Sequence, residues 1–138
     1  MYCYLLLLAS YCVIFIAYAK QLIYTEAFRL GLFFFLCIPV RLLLAYFGYL
    51  KLQFMPYLAM GISFGFFYKF IAEERKLARG EKLSPGAFGG DAFWHRERLT
   101  HSVLFATYST MAFAGHEQAY AVLLADVAFG FLNKLIAL

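Results

Sequence analysis

Charge is scarce in this chain: only 14% of its 138 residues are Asp, Glu, Lys or Arg, against about 25% in an ordinary soluble domain. There is a single tryptophan, and the three cysteines, Cys3, Cys12 and Cys37, stand apart in apolar runs. The absence of a C-x-x-C pair excludes a zinc ribbon and a thioredoxin-like redox motif, and an isolated buried cysteine behaves as a small hydrophobe. No H-E-x-x-H occurs, and the glycine-rich stretch Gly86-Ala87-Phe88-Gly89-Gly90 lacks the spacing and the Lys-Ser/Thr of a phosphate-binding loop. A potassium-filter sequence is missing as well. No basic stripe with interleaved aromatics lies outside the apolar runs, so nucleic acid is not a partner. Nothing implies a cofactor or a bound metal.

What is abundant is apolar surface. Hydrophobic residues make up 64% of the chain and aromatics 21%, with 17 Phe and 11 Tyr. A domain this small leaves roughly a third of its unfolded surface in contact with solvent. Water would not accept that surface, and lipid would. Five apolar runs follow one another at about 2–19, 30–50, 52–72, 99–115 and 119–138. Each approaches the ~20 residues that cross a bilayer core. The expected fold class is all-α: a polytopic bundle of five transmembrane helices, forming one domain over residues 1–138, with 73–98 as a cytoplasmic loop. The lipid bilayer is the expected partner and a multi-pass membrane location follows.

Punctuation supports the divisions. Pro56 stands in the first turn of its run, where a missing N–H is not needed. Glu73 to Arg79 consists of good helix formers and extends the third helix beyond the apolar run. Gly80 fits a C-terminal cap, Ser84-Pro85-Gly86 is turn chemistry, and Asp91 is a candidate N-cap with Trp94 at the interface.

Orientation follows from basic residues. With the N-terminus outside, the cytoplasmic side receives Lys20, Arg29, Lys69, Arg75, Lys76, Arg79, Lys82, Arg96, Arg98 and Lys134, and the outer side only Lys51. Arg41 lies within a span. Positive residues collect on the cytoplasmic side during insertion, so the C-terminus is expected there too. Ala17-Tyr18-Ala19 offers an alternative as a signal-peptidase site. Cleavage would reverse every later span and place the basic residues outside, and the first run also lacks a positive n-region.

Two charges lie deep in apolar runs: Arg41 and Asp126. Burying either costs about 2.5–3.5 kcal/mol on insertion scales, so each needs a partner. Arg41 lies roughly 16 Å from the inner edge at 1.5 Å per residue. Asp126 lies roughly 19 Å from that edge if the core is about 30 Å thick. The levels match, and an Arg41–Asp126 pair is expected. Small residues sit on the same faces. Asp126, Gly130 and Asn133 form one stripe, and Cys37, Arg41, Ala45 and Gly48 form another. Thr107 and Thr110 are candidate hydroxyl partners at that height. Gly61 and Gly65 form a G-x-x-x-G packing pattern. Such a pair is a structural clamp or a working part of an ion, proton or small-solute pathway lined by Arg41, Asp126, Asn133, Thr107 and Thr110. Only His101 and Glu117 would extend it, across gaps beyond hydrogen-bond reach.

The cytoplasmic face concentrates Glu97, Arg98 and His101. Glu97 and His101, four residues apart, share a helical face and would supply two ligands or an acid–base couple. A site needs more groups than two, so a non-enzymatic protein is the leading expectation. It would act as a structural or accessory element through helix packing, as a homo-oligomer or on a membrane-protein partner.

Gly89-Gly90-Asp91, Trp94, Arg98 and His101, followed by Asp126-Val127-Ala128-Phe129-Gly130, resemble the C-terminal part of short multi-spanning proteins of unknown function from large algal DNA viruses. The likeness covers residues 89–138. This chain departs at His95 and Leu99, where the family carries a second Trp and a Pro. The resemblance implies a small viral membrane protein without an assigned activity, and it singles out Arg98, His101 and Asp126.

Overall fold

The computed structural model describes residues 26–84 and 95–136. The expected first span, Cys3, Cys12, the Ala17-Tyr18-Ala19 motif, Asp91, Trp94 and the glycine-rich stretch lie outside the described residues. All regular structure among the described residues is helical. Helix α1 (Glu26–Leu32), a π-helical turn (Phe33–Cys37) and α2 (Ile38–Tyr49) form one continuous rod. Helices α3 (Met55–Ala78), α4 (Glu97–Phe113) and α5 (Tyr120–Ile136) follow.

The π-turn precedes a local disturbance. Pro39 has no N–H to give and its ring crowds the preceding turn, so an uninterrupted α-helix would kink there. The chain instead widens by one residue, with the Ile38 N–H reaching back to the Phe33 carbonyl, and Pro39 opens α2.

Helices α2, α3 and α4 stop in the same way. Beyond each, one residue adopts a left-handed conformation: Lys51 (φ 53°), Gly80 (φ 72°) and Gly115 (φ 78°). Their N–H groups bond the carbonyls of Gly48, Leu77 and Ala112, at 3.1, 2.9 and 3.1 Å. The next N–H bonds one step further back, to Phe47, Lys76 and Met111. This double closure satisfies carbonyls that a helix end leaves unpaired, and it favours glycine because a Cβ is disfavoured at positive φ.

Helix α3 packs most extensively on α4, α2 on α5, and α4 on α5, while α2 and α3 meet lightly beside their short turn. The shared core is Ala45, Met55, Ala59, Phe105, Tyr108, Ala119 and Leu123. Ser63 and Ser102 lock α3 to α4: each hydroxyl donates to the other residue's carbonyl, at 2.8 and 3.0 Å. Ser109 donates to the Pro56 carbonyl at 2.7 Å. Gly61 and Gly65 face open space, and a Cβ at either would meet nothing within 4 Å. Their G-x-x-x-G therefore plays no part in the α3–α4 contact.

The partition of side chains is inverted. Among the described residues, eight apolar side chains are buried and eight polar or charged ones are buried with them. Large apolar groups are turned outward, including Phe35 (85% exposed), Tyr68 (72%) and Phe64 (65%). Two helices are long and apolar enough to cross a membrane: the 20-residue stretch Leu30–Tyr49 and the 24-residue Met55–Ala78. The fourth and fifth apolar runs give helices of 17 residues each, α4 and α5. At 1.5 Å per residue α4 measures about 26 Å, short of a bilayer core of about 30 Å, and α5 is described as far as Ile136. Hairpin closure at 114–119 takes residues that the apolar pattern assigned to helix.

The far end of α3 is held by a buried carboxylate. Glu73 accepts the Ser84 backbone N–H at 2.7 Å and Lys76 Nζ at 3.4 Å, and Lys76 also bonds the Ser84 hydroxyl. The Ser84 backbone N–H is the main reason that the Glu73 carboxyl is held down to about 2, from an ordinary 4.5; burial opposes it, and the Ser84 hydroxyl and Lys76 assist. Because the folded value is depressed, this contribution to stability is complete above the ordinary value and fades as pH falls toward 2. Glu73→Gln should destabilise the protein at pH 6, with the gap to wild type narrowing steadily below pH ~4.5. Thermal unfolding in detergent at a series of pH values reads this, and a gap independent of pH would refute it.

Candidate functional site

Three titratable or charged groups meet in the interior from three helices. Arg41 sits in the first turn of α2, His101 in the second turn of α4 and Asp126 midway along α5. Arg41 Nη1 lies 3.2 Å from Asp126 Oδ2 and 3.5 Å from the Asp126 carbonyl oxygen. His101 Nδ1 lies 2.5 Å from Asp126 Oδ1 and 3.3 Å from Arg41 Nη1. The Asp126 side chain is 1% exposed, that of His101 4% and that of Arg41 14%.

The donors settle who bonds whom. A guanidinium only donates, and an ionised carboxylate only accepts. With an ionised Asp126 as acceptor, the 2.5 Å contact to Oδ1 has His101 Nδ1 as its donor. Arg41 Nη1 meets the same ring nitrogen at 3.3 Å. Arg41 Nη1 is near Asp126 Oδ2, yet that oxygen has no aligned hydrogen bond. Arg41 is therefore tied to Asp126 by charge and by the hydrogen bond to its backbone carbonyl, and the bond to the carboxylate itself belongs to His101.

Packing holds this geometry. The His101 ring is flanked by Phe66 at 5.6 Å and Phe129 at 5.5 Å between centroids. Arg41 lies across Gly130, where a Cβ would come within 2.7 Å of Nη1. Helix α5 thus provides the carboxylate at Asp126 and, one turn on, the bare backbone that admits the guanidinium. Asn133, a further turn along that face, is half-buried.

Sequence distance misjudged His101. Measured from the inner edge it lies some 16 Å below Asp126, since Asp126 was placed from the opposite edge through an assumed ~30 Å core. The α4–α5 hairpin sets both from one turn. His101 is twelve residues before Phe113 and Asp126 six after Tyr120, an axial offset of about 9 Å that two side chains and helix inclination close. Thr107 and Thr110 do not join the triad. At 100° per residue they lie about 240° and 180° round α4 from His101. Both are exposed, and their hydroxyls bond back to Val103 and Ala106 at 2.8 and 2.9 Å. The buried face of α4 carries Arg98, His101, Ser102, Phe105, Tyr108 and Ser109. That spacing of three and four, with polar residues on the inner face, was the signal for His101.

At the start of α4, Glu97 is half-buried and Arg98 buried. Burial pushes the Glu97 carboxyl up, with His101, Arg41 and Lys134 pulling the other way. His101 turns its Nδ1 to Asp126 and acts on Glu97 through its charge. His95 faces the other direction, stacked on Phe70 at 5.3 Å with Nε2 2.9 Å from Glu74 Oε1. Among the described residues, no three His, Cys, Asp or Glu side chains converge as metal ligands.

No protein-family model matches the chain, and no curated protein or solved structure matches it. The function must therefore be argued from the triad and its surroundings. Above the triad, toward the hairpin end of the bundle, Ala45, Phe105, Tyr108 and Leu123 fill the interior. Beyond them a cleft of about 440 Å³ opens between the α2–α3 turn and the α4–α5 hairpin.

Proposed function

We propose that this protein is a non-enzymatic, multi-pass membrane protein, a structural or accessory element whose helices are held in register by Arg41, His101 and Asp126. The observation that carries this reading is the buried triad, drawn from α2, α4 and α5 and sealed on the hairpin side by Ala45, Phe105, Tyr108 and Leu123. A polar group that joins three helices in an apolar surround fixes one packing arrangement against others, the best-attested use of buried polar residues. The inverted partition of side chains fits lipid as the outer solvent. Five spans with the N-terminus outside and the C-terminus in the cytoplasm remain the arrangement that best places the basic residues. The shorter helix α4 is accommodated by local thinning of the bilayer or by association of copies. The outward face of α3, with Gly61 and Gly65, is the surface on which another helix would pack in a homo-oligomer. The likeness to small viral membrane proteins agrees with this reading and supplies no activity.

The second reading, an ion, proton or small-solute pathway, draws support from His101, which adds a titratable group to the pair. The apolar layer above the triad counts against it. Flux measurement separates the two. In proteoliposomes, wild type and Asp126→Asn should both pass protons no faster than protein-free vesicles. Wild-type flux above that level, lost in Asp126→Asn, would establish the pathway in place of the scaffold. Retention in the pellet after alkaline carbonate extraction tests the membrane reading separately.

A further inference from the structure

We propose that the hairpin-end cleft binds a phosphate-bearing zwitterion: a phosphocholine or phosphoethanolamine group. Its position at a water–lipid boundary rests on the membrane reading, while the chemistry of its lining does not. The cleft of about 440 Å³ is lined by Gly48 and Tyr108 and by the exposed Lys51, Tyr57, Phe113 and Glu117. That size suits a headgroup and lies within the range of small-molecule sites.

Three observations point to a ligand. First, Tyr108 is 2% exposed as a residue and lines the cleft, and what exposure it has leaves its hydroxyl open there rather than among the buried atoms that lack a partner. It lies against Gly48, whose missing Cβ leaves it room: a Cβ there would sit 3.2 Å from the hydroxyl oxygen. A phenolic hydroxyl that opens on a cleft donates to whatever fills it.

Second, Lys51 occupies a backbone position that favours glycine. The matching residues beyond α3 and α4 are Gly80 and Gly115, whereas Lys51 holds φ at 53° with a Cβ. Left-handed conformation costs an L-residue roughly 1–2 kcal/mol. The chain keeps an ammonium at this rim against that cost. Strain of this kind, once observed, is a pointer to function.

Third, the rim carries balanced charge. Lys51 Nζ lies 3.2 Å from Glu117 Oε1, with side chains 62% and 84% exposed. An exposed pair is worth little, so a ligand opens it readily. A purely anionic group would meet Glu117, and a purely cationic one Lys51. A zwitterion satisfies both: its phosphate accepts from Tyr108 and Lys51, and its ammonium pairs with Glu117. Tyr57 and Phe113, edge to face at 5.0 Å, offer aromatic surface to the ammonium.

Titration of the purified full chain in detergent tests this, with dioleoyl phosphatidylcholine, dioleoyl phosphatidylglycerol and glycerophosphocholine as probes. Binding is read from the rise in Tm. Phosphatidylcholine should bind at least five-fold more tightly than phosphatidylglycerol. Tyr108→Phe, which removes one oxygen and no packing, should weaken it about five-fold, the loss of one hydrogen bond. Lys51→Gly should raise the ligand-free Tm by relieving the strained backbone and yet weaken phosphatidylcholine binding. A merely structural Lys51 would not produce that opposition. Tight glycerophosphocholine binding would identify a free phosphodiester as the ligand; binding of the lipid alone would identify the membrane as its source. Equal affinity for the two lipids with no response to glycerophosphocholine, or unchanged affinity in both variants, would overturn the proposal.

Discussion

Asp126→Ala should cost about 3 kcal/mol of stability, and combining it with Arg41→Ala should recover about 2 kcal/mol of that loss. Removing one partner from a buried ion pair strands the other charge, and the stranded charge is the main penalty. In Asp126→Ala the Arg41 guanidinium keeps its charge and loses its ion-pair partner, with Glu97 acting on it only through longer-range charge, and the His101 Nδ1–H loses its acceptor. Arg41→Ala is milder, because His101 remains hydrogen-bonded to Asp126. In the double variant no charge is left behind, so the interaction energy is large and favourable to the pair. Denaturation of the four proteins in one detergent closes the cycle. Costs that simply add would mean that the two charges are not coupled, and the clamp would fall with that result.

Gly130→Ala should destabilise the wild type by about 1–2 kcal/mol and become neutral or stabilising in an Arg41→Ala background. Two effects of opposite sign compete at this position. Alanine is the better helix former by up to about 1 kcal/mol. Its Cβ, however, would fall 2.7 Å from Arg41 Nη1. The end of an arginine can usually swing aside at little cost, but this one is fixed 3.2 Å from Asp126. Moving it to ordinary contact distance stretches the pair in an apolar surround, where coulombic energy changes steeply with separation. Without Arg41 only helix propensity is left, and the sign reverses. If Gly130→Ala destabilised equally in both backgrounds, the crowding would come from something other than the guanidinium.

Much of this architecture was legible from local rules. Pro56 at the start of α3, Gly80 beyond its end and the continuation of α3 through Glu73 to Ala78 all follow from proline, glycine and propensity. The facing stripes of small residues around Arg41 and Asp126 were visible as helical spacing. Other features were not. Pro39 announces a disturbance, but whether a helix breaks, kinks or widens into a π-turn depends on what supports it from outside. Lys51 gives no sign that it takes a left-handed conformation, since the Schellman closure it completes normally uses glycine. Glu73 reads as an ordinary charge on an exposed extension, and only the return of the chain at Ser84 buries it.

The sequence by itself determined composition, helical periodicity and the small number of charges that an apolar interior has to accommodate. Those are properties of single segments, and they made Arg41 and Asp126 conspicuous because each interrupts an apolar run. The tertiary structure decided what completes the group. His101 bonds Asp126, Gly130 yields space to Arg41, and Thr107 and Thr110 turn away from both. These facts depend on the rotation of α4 about its axis and on the offset of α4 against α5. Rotation and offset are set by packing between helices and by the closure of a short hairpin, and neither is encoded in any one segment.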